Sequence, residues 1–227
     1  MSIDIYVHST ASAERRRRKG RLDMRVTKAQ AEQNRAHIVA TASRLFRERG
    51  YDGVGVAELM AAAGFTHGGF YKHFSSKADL MAEASASGLA QTAARTEDLD
   101  AAEFVEHYVS REHREGRGDG CTIAALGGDA ARQPTDIKKE FAAGIESLLT
   151  ALQAQAPTDT PGDADQRAVR ATVIDMLAHS VGAVMLSRAC PDGSPLADEI
   201  LDVCRGEILA SLAPGNSDQP AAGSPEV

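Results

Sequence analysis

Apolar residues recur with helical spacing from about Thr27 to about residue 212, and this periodicity limits the possible folds more than any other feature. No segment of useful length shows the two-residue alternation of a β-strand. Helix-favouring residues such as Ala, Leu, Glu and Arg are abundant, whereas aromatic residues make up 4% of the chain, with no Trp. Strand-rich sandwiches and barrels usually contain more aromatic and β-branched residues. The sequence therefore predicts an all-α protein.

Glycine, proline and polar residues divide the pattern into separate helices. The first predicted helix runs from about Thr27 to Gly50, which is expected to be a left-handed residue at the helix end. Its apolar stripe leaves Arg47 among the solvated charges. Ser76, followed by Asp79, predicts a capped helix start. Helices are then predicted at about 77–94, 100–114, 121–132, 137–155, 163–188 and 196–212.

Charge is distributed unevenly along the chain. Residues 1–77 contain 14 Lys and Arg against 7 Asp and Glu, whereas residues 78–227 contain 11 against 25. Phosphate neutralisation needs local positive charge. A basic head on an acidic body therefore predicts a polyanionic partner at one end only.

The two ends of the chain lack the helical pattern. Residues 1–26 are predicted to be a disordered basic extension, and residues 213–227 a disordered tail rich in Pro, Gly, Ser and Ala. Three interpretations of the N-terminal stretch stay open: an arm that enters a DNA groove, a solvated tail, or a segment preceding a start at Met24. No apolar core follows the basic run at 15–21, and no membrane-spanning run is recognised, which predicts a cytoplasmic protein without a membrane partner.

The segment 54–74 shows a pattern that is typical of a helix-turn-helix. Two short helices, at about 56–63 and 66–74, are separated by a tight turn at Gly64. Phe70 and Phe74 are four residues apart and are predicted to face the core. The small and polar residues at the start of the second helix then face outward, an arrangement that suits the major groove of DNA.

The pair Gly68-Gly69 is unusual within a predicted helix, because each Gly is less favourable than Ala by roughly 0.8–1 kcal/mol. Two explanations are open. A missing Cβ allows the backbone to approach DNA closely, or the glycines relieve packing inside an ordinary helical hairpin.

The runs FRERGYDG (46–53) and AAAGFTHGGFYKHFSSKADL (61–80) closely resemble the N-terminal domain of the TetR/AcrR family, over about residues 33–83. The resemblance implies a three-helix helix-turn-helix domain at 27–76 and a helical effector-binding and dimerisation domain at 77–212. It implies a transcriptional regulator, usually a repressor, that binds a near-palindromic double-stranded DNA operator as a homodimer and is released by a small-molecule or electrophile effector.

The same resemblance assigns roles to individual residues. The positions implied to face bases are Thr66, His67, Gly68 and Gly69, and those implied to hold phosphates are Tyr71, Lys72, His73 and Lys77. Gly55 departs from the family pattern, which usually has Ser or Thr capping the second helix at this point, so a looser helix start is expected.

Cys121 is the candidate sensing residue. It opens a predicted helix, and a helix N-terminus with nearby cations such as Arg114 or Arg117 favours a reactive thiolate. The segment GCTIAALGG (120–128) also resembles the NemR-like subgroup, whose Cys at this place senses electrophiles or oxidants. Alternatively, Cys121 is a small packed hydrophobe.

Wide apolar stripes on the helices at 163–188 and 196–212 are compatible with a homodimer, although a monomer could bury them too. An enzyme is not expected, because the chain contains no phosphate-binding glycine loop, no G-x-S-x-G and no H-E-x-x-H motif. Neither a cofactor nor a metal site is predicted, since three scattered cysteines form no recognisable ligand pattern. The alternative function is a helical protein-interaction scaffold that does not bind DNA.

Overall fold

The structure is a computed structural model that describes residues 27–155 and 163–213, without the side chains of 163–165. It divides into two compact units, residues 1–37 and residues 38–227. The predicted basic extension at 1–26 lies outside the described residues, as do residues 214–227 of the predicted tail.

Within these ranges every regular element is a helix, which confirms the predicted fold class. A 3₁₀ helix, His67–Lys72, lies between the second and third α-helices. The α-helices are α1 Lys28–Arg49, α2 Val56–Ala62, α3 Lys77–Thr96, α4 Ala101–Tyr108, α5 Arg111–Glu115, α6 Thr122–Ala130, α7 Thr135–Ala154, α8 Asp163–Ala189 and α9 Pro195–Leu212.

α1 begins and ends as its sequence predicts. The backbone N–H of Gln30 donates to Thr27 Oγ1 at 3.1 Å, which satisfies one of the unpaired donors of the first turn. Gly50 follows the helix with φ of 75° and donates its N–H to the Phe46 carbonyl at 2.8 Å. The placement of Arg47 among solvated charges was wrong, because only 6% of this residue is exposed.

The turn after α2 depends on Gly64, whose φ is 79°. The N–H of Phe65 donates to the Met60 carbonyl at 2.8 Å, and that of Gly64 to Ala61 at 3.0 Å. Bonds of this kind satisfy the last carbonyls of a helix around a left-handed glycine. The element that follows is a 3₁₀ helix instead of the expected α-helix, consistent with the low helix propensity of its two glycines.

α3 starts at the predicted cap. The N–H of Asp79 donates to Ser76 Oγ at 3.1 Å, and the Asp79 carboxylate accepts the Ser75 N–H at 3.0 Å. The helix packs most extensively against α7. A Cβ on Gly144 of α7 would lie 2.6 Å from the Leu89 side chain, so this crossing requires glycine.

The single helix predicted at 100–114 was wrong. α4 ends at Tyr108, and Ser110 starts α5 by accepting the His113 N–H on its Oγ at 3.1 Å. A serine hydroxyl competes for backbone donors and so favours a new helix start over continuation. This break turns the chain beside a cavity of about 760 Å³.

A continuous apolar core extends from Ile38 to Ile208 and includes residues on both sides of the predicted boundary at 76/77. One stretch of α8, Gln166–Ala189, has the length and composition to cross a membrane, which the sequence reading did not recognise. Core helices of soluble proteins pass the same test, and 33% of the apolar window is buried.

Candidate functional site

The 3₁₀ helix His67–Lys72 is anchored from inside by an aromatic residue. Phe70 is 1% exposed, and its ring centroid lies 5.5 Å from that of buried Phe74, as the spacing predicted. The Thr66 carbonyl accepts the Gly69 N–H at 2.9 Å, but the Thr66 side chain makes no capping hydrogen bond. Backbone bonding and Phe70 therefore hold this helix.

Five of the eight predicted DNA-contacting residues are exposed: Thr66, His67, Gly68, Tyr71 and Lys72. Tyr71 has 70% of its surface exposed. Residues three apart share an edge of a 3₁₀ helix, so Gly68 aligns with Tyr71 and Gly69 with Lys72. Lys72 makes no hydrogen bond or ion pair with any residue in the described ranges, which leaves its ammonium available.

Packing within the chain does not require glycine at either position of the pair. A Cβ on Gly68 would meet no atom within 4 Å. On Gly69 it would lie 3.6 Å from Met60 Cε and 3.7 Å from Thr66 Oγ1, which are ordinary contact distances. Neither glycine has a positive φ. Relief of internal packing therefore does not explain this pair.

The other predicted contact residues, Gly69, His73 and Lys77, are partly buried. The His73 ring lies 6.3 Å from the Phe65 ring. Lys77 Nζ donates to the Tyr51 carbonyl at 2.5 Å, while the Tyr51 hydroxyl pairs with Ser85 Oγ at 2.6 Å. Lys77 thus fastens the turn after α1 to α3, a role that the sequence pattern did not predict.

The departure at Gly55 has a structural counterpart. Gly55 precedes α2 with extended backbone angles and contributes no side-chain hydrogen bond to the helix start. Nearby, Arg49 pairs with Glu58, and Arg44 pairs with Glu48 at 2.8 Å. Part of the positive charge of the head is therefore compensated within the chain.

A cavity of about 760 Å³ lies among α3, α4, α5 and the loop that leads into α6. Cys121 belongs to its wall, is 4% exposed and directly precedes α6, as predicted. Apolar and polar side chains both line the space. Among the residues that the structure describes, no cluster of His, Cys, Asp or Glu could hold a metal ion.

Two buried polar atoms near Cys121 have no hydrogen-bond partner in the described part of the chain: the Tyr108 hydroxyl and Arg188 Nη1. Burial, and then the neighbouring Cys121, raises the pKa of Tyr108 well above its ordinary value. The sequence pattern did not identify either residue, because an aromatic and an arginine on helices normally indicate packing and a solvated face.

Two arginines that the sequence did not suggest, Arg47 and Arg188, interact with Cys121. Arg114 is engaged with Ser187 Oγ at 3.0 Å and Asp192 at 3.3 Å. Arg47 and Arg188 instead interact electrostatically with Cys121: burial lowers the pKa of both arginines, and the Cys121 charge raises it.

Both ring nitrogens of His113 make hydrogen bonds to backbone atoms of the cavity wall. Its Nδ1 donates to the Tyr108 carbonyl at 2.7 Å, and its Nε2 accepts the Cys121 backbone N–H at 2.9 Å. This pair of backbone partners fits the neutral ring with the proton on Nδ1. Burial lowers the pKa of His113, and the Tyr108 carbonyl partly opposes that shift.

The last two helices expose large apolar side chains. Predicted stripe residues such as Val173, Leu177 and Val184 are buried. A second apolar set remains 41–60% exposed and consists of Ile174, Met185, Leu186, Leu196 and Val203. An apolar face of this kind on two adjacent helices favours contact with another protein surface.

Known proteins match the N-terminal part of the chain. The family model described as "Bacterial regulatory proteins, tetR family" matches residues 38–84. The transcriptional regulator AcrR of Shigella flexneri is 42% identical over 59 residues, which are 26% of this chain and 27% of AcrR. TtgR of Pseudomonas putida is 40% identical over 58 residues, or 26% of this chain and 28% of TtgR. The chain thus matches about a quarter of the length of these curated relatives.

Solved structures extend the likeness to the fold of the body. The reduced form of E. coli NemR has a TM-score of 0.59 at 18% identity, covering 78% of this chain and 95% of NemR. A TetR-family regulator from Agrobacterium tumefaciens has a TM-score of 0.60 at 19% identity, with coverages of 79% and 98%. At such identities the likeness establishes the fold alone.

The matched segment 38–84 contains α2, the Gly64 turn and the whole exposed 3₁₀ helix. The curated relatives that match it are named as helix-turn-helix transcriptional regulators. The all-helical body has the architecture of TetR-family structures. On this evidence, residues 38–84 resemble the TetR family of bacterial regulatory proteins in sequence, and the helical body resembles TetR-family structures in fold.

Proposed function

We propose that this protein is a transcriptional repressor that acts in the cytoplasm. It binds a near-palindromic operator in double-stranded DNA as a homodimer, and a small molecule or electrophile releases it. The observation that carries the proposal is the exposed 3₁₀ helix His67–Lys72 inside the matched segment. Within the described residues, packing does not require glycine at position 68, and Lys72 makes no hydrogen bond or ion pair. Both residues suit a close approach of this helix to a polyanion.

Base contacts and phosphate contacts divide along this surface. Phosphate contacts set affinity and register, whereas base contacts determine which sequence is read. Thr66, His67, Gly68 and Gly69 are proposed to face bases. Tyr71, Lys72, His73 and Lys77 are proposed to hold the backbone, and among these Lys72 is the exposed cation without an internal partner.

The homodimer is supported by the exposed apolar faces of α8 and α9. A self-complementary interface would place two heads side by side, with half-sites about 34–36 Å apart or a multiple of that distance. Sedimentation of the full chain should show a dimer. A charge on this face, as in Leu186→Glu, should shift it to monomer, whereas Ala142→Glu, at an exposed alanine of α7, should not.

A gel-shift with the full chain and the DNA upstream of its own gene tests DNA binding against the scaffold alternative. We expect a retarded complex that survives competition by unrelated DNA. His67→Ala should bind with similar affinity but discriminate less between the upstream fragment and a scrambled one. A protein that is dimeric and folded, yet retards neither fragment, would favour the interaction scaffold.

Cys121 is proposed to sense electrophiles or oxidants. Support comes from its position in the cavity wall beside the buried Tyr108 hydroxyl. Thiolates are the nucleophilic form of cysteine. A packing role is the competing explanation, because the side chain is 4% exposed.

Titration of the protein–DNA complex with a quinone separates these explanations. DNA should be released from the natural protein and from Cys190→Ser, a matched control in the partly buried Cys190 position. Cys121→Ser should stay bound at the same quinone concentration. Equal release from Cys121→Ser would assign the cysteine to packing alone.

A further inference from the structure

Arg47 lies on α1, in the DNA-binding head, yet it is buried, and the atoms that accept its hydrogen bonds are uncharged. Its Nε donates to the Gly118 carbonyl at 2.8 Å, and its Nη1 donates to Ser43 Oγ at 2.7 Å. No ion pair within residues 27–155 and 163–213 includes it. A buried guanidinium without a carboxylate partner is costly, so such a residue usually has a task beyond stability.

The loop formed by residues 116–122 connects Arg47 to the cavity. Gly116, Asp119, Gly120 and Cys121 of this loop line the cavity. On the cavity side the loop is held by the Cys121 N–H on His113 and by Arg95 on the Asp119 carbonyl. This one loop therefore lines the cavity and also provides the Gly118 carbonyl that accepts the Arg47 hydrogen bond.

The other side of the 116–122 loop lies directly on α1. A Cβ on Gly118 would be 2.5 Å from Glu48 Oε1 and 3.0 Å from Arg44 Cγ. The Arg44 and Glu48 side chains of α1 therefore lie directly against the loop backbone at this point. A displacement of the loop therefore has to move α1 or break its contacts with it, since packed interiors transmit small shifts.

Helix α3 also packs against the Arg47 guanidinium, at Gly88. A Cβ on Gly88 would be 2.5 Å from Thr122 Oγ1, 2.6 Å from Arg47 Nη1 and 2.7 Å from Ser43 Oγ. Helices α1, α3 and α6 thus meet closely at the Arg47 guanidinium. α3 also begins next to the 3₁₀ helix, so the junction adjoins both helices that support the DNA-binding surface.

We propose that Arg47 is a positioning residue that couples the cavity beside Cys121 to the DNA-binding head. When an occupant or adduct displaces the 116–122 loop, the Gly118 carbonyl and Thr122 withdraw from Arg47, and α1 moves with the 3₁₀ helix that shares its core. The inference rests on the proposed function of the head and the cavity. It adds the residue through which the two sites communicate.

A double-mutant cycle tests the coupling without an identified effector. Cys121→Met enlarges a side chain in the loop and imitates an adduct. It should weaken operator binding by roughly tenfold in the natural background, within the usual range of allosteric coupling. In Arg47→Met, which keeps much of the volume but removes the donors, the same change should cost less than about twofold, because the contact that carries the coupling is already lost and the two effects do not add. Cys204→Met, on α9, is the matched control and should leave affinity unchanged in both backgrounds.

A purely structural Arg47 would lower affinity equally with and without Cys121→Met, and that additivity would overturn the proposal. So would an absence of any effect of Cys121→Met in the natural protein. If Arg47→Met does not fold, as judged by circular dichroism, Thr122→Val replaces it in the cycle, with the same expected loss of coupling.

Hydrogen exchange separates failure of the coupling from failure of the proposed function. Cys121→Met should accelerate exchange of the amides at 43–49 while Cys204→Met does not, with or without DNA. If the protein bound no DNA but showed this acceleration, the coupling would hold and the DNA-binding function would be wrong. Unchanged exchange at 43–49 would overturn the coupling.

Discussion

At the scale of single residues, two positively charged side chains of the head make hydrogen bonds within the fold. Lys77, assigned to phosphate by resemblance, donates to the Tyr51 carbonyl, and Arg47 is buried against Gly118. Lys72, by contrast, makes no contact of this kind within the described chain. A sequence pattern records which residues are basic, but long side chains reach partners that lie far away in sequence.

Lys77→Ala should therefore have two effects. Loss of its hydrogen bond to Tyr51 should lower the free energy of unfolding by about 1 kcal/mol. Binding to all DNA sequences should weaken, with a shallower salt dependence, if the ammonium also reaches a phosphate. Urea denaturation and fluorescence anisotropy measure the two effects separately. An unchanged unfolding free energy would mean that the Lys77–Tyr51 hydrogen bond does not stabilise the fold. An unchanged salt dependence would mean that Lys77 does not contact a phosphate.

His113 should make stability depend on pH. Burial lowers its pKa below the ordinary 6.5, so the unfolded chain takes up the proton first. The stabilisation is complete above about pH 6.5 and is lost as the pH falls from there towards the lowered pKa of the folded state. His113→Gln should reduce this dependence in urea denaturations across that window, whereas His107→Gln, at an exposed histidine, should not. Identical pH profiles for the natural protein and His113→Gln would contradict the burial argument.

At the scale of elements, the glycines of the helix-turn-helix have separate roles. Gly64 ends α2 with a positive φ, whereas Gly68 has no positive φ and open space at its Cβ position. Gly64→Ala should lower stability by roughly 1–2 kcal/mol, the cost of a left-handed conformation with a Cβ. Gly68→Ala should be at least as stable as the natural chain, because Ala reduces the entropy of the unfolded state, but should bind the operator more weakly.

Thermal unfolding and anisotropy on the same two proteins provide the check. Weakened binding by Gly68→Ala without loss of stability would support close approach of the backbone to DNA. Full affinity in Gly68→Ala would mean that the open space at this glycine has no function in DNA binding.

Local signals predicted much of this architecture. Gly50, Gly64 and the Ser76 cap each act through their own backbone angles or a hydrogen bond three residues away, so the sequence alone is sufficient to locate them. The break at Ser110 and the burial of Arg47 were missed. Both depend on partners brought together by the fold, and side-chain periodicity contains no information about those partners.

The candidate site was likewise predicted in one part and missed in another. The exposed residues of the 3₁₀ helix were predicted from one contiguous motif and its resemblance to a family. The surroundings of Cys121 were not, since Tyr108 and Arg188 come from helices 13 and 67 residues away in sequence. Tertiary packing selects such neighbours, so only the structure identifies them.

At the scale of the whole molecule, the basic head exposes the His67–Lys72 helix. The acidic helical body contains the cavity beside Cys121 and an exposed apolar face on α8 and α9. The 116–122 loop joins these parts, because it lines the cavity and contacts α1. These are features that the proposed function requires. In that proposal, the His67–Lys72 helix meets the DNA backbone.

The salt dependence of operator binding tests this contact, with the natural protein compared with Lys72→Ala and Lys138→Ala. Each phosphate contact contributes about 0.9 to the slope of log K against log salt, so loss of Lys72 from both subunits should reduce the slope by roughly 2. Lys138, an exposed lysine of α7, should leave the slope unchanged. Equal slopes for the natural protein and Lys72→Ala would contradict the account.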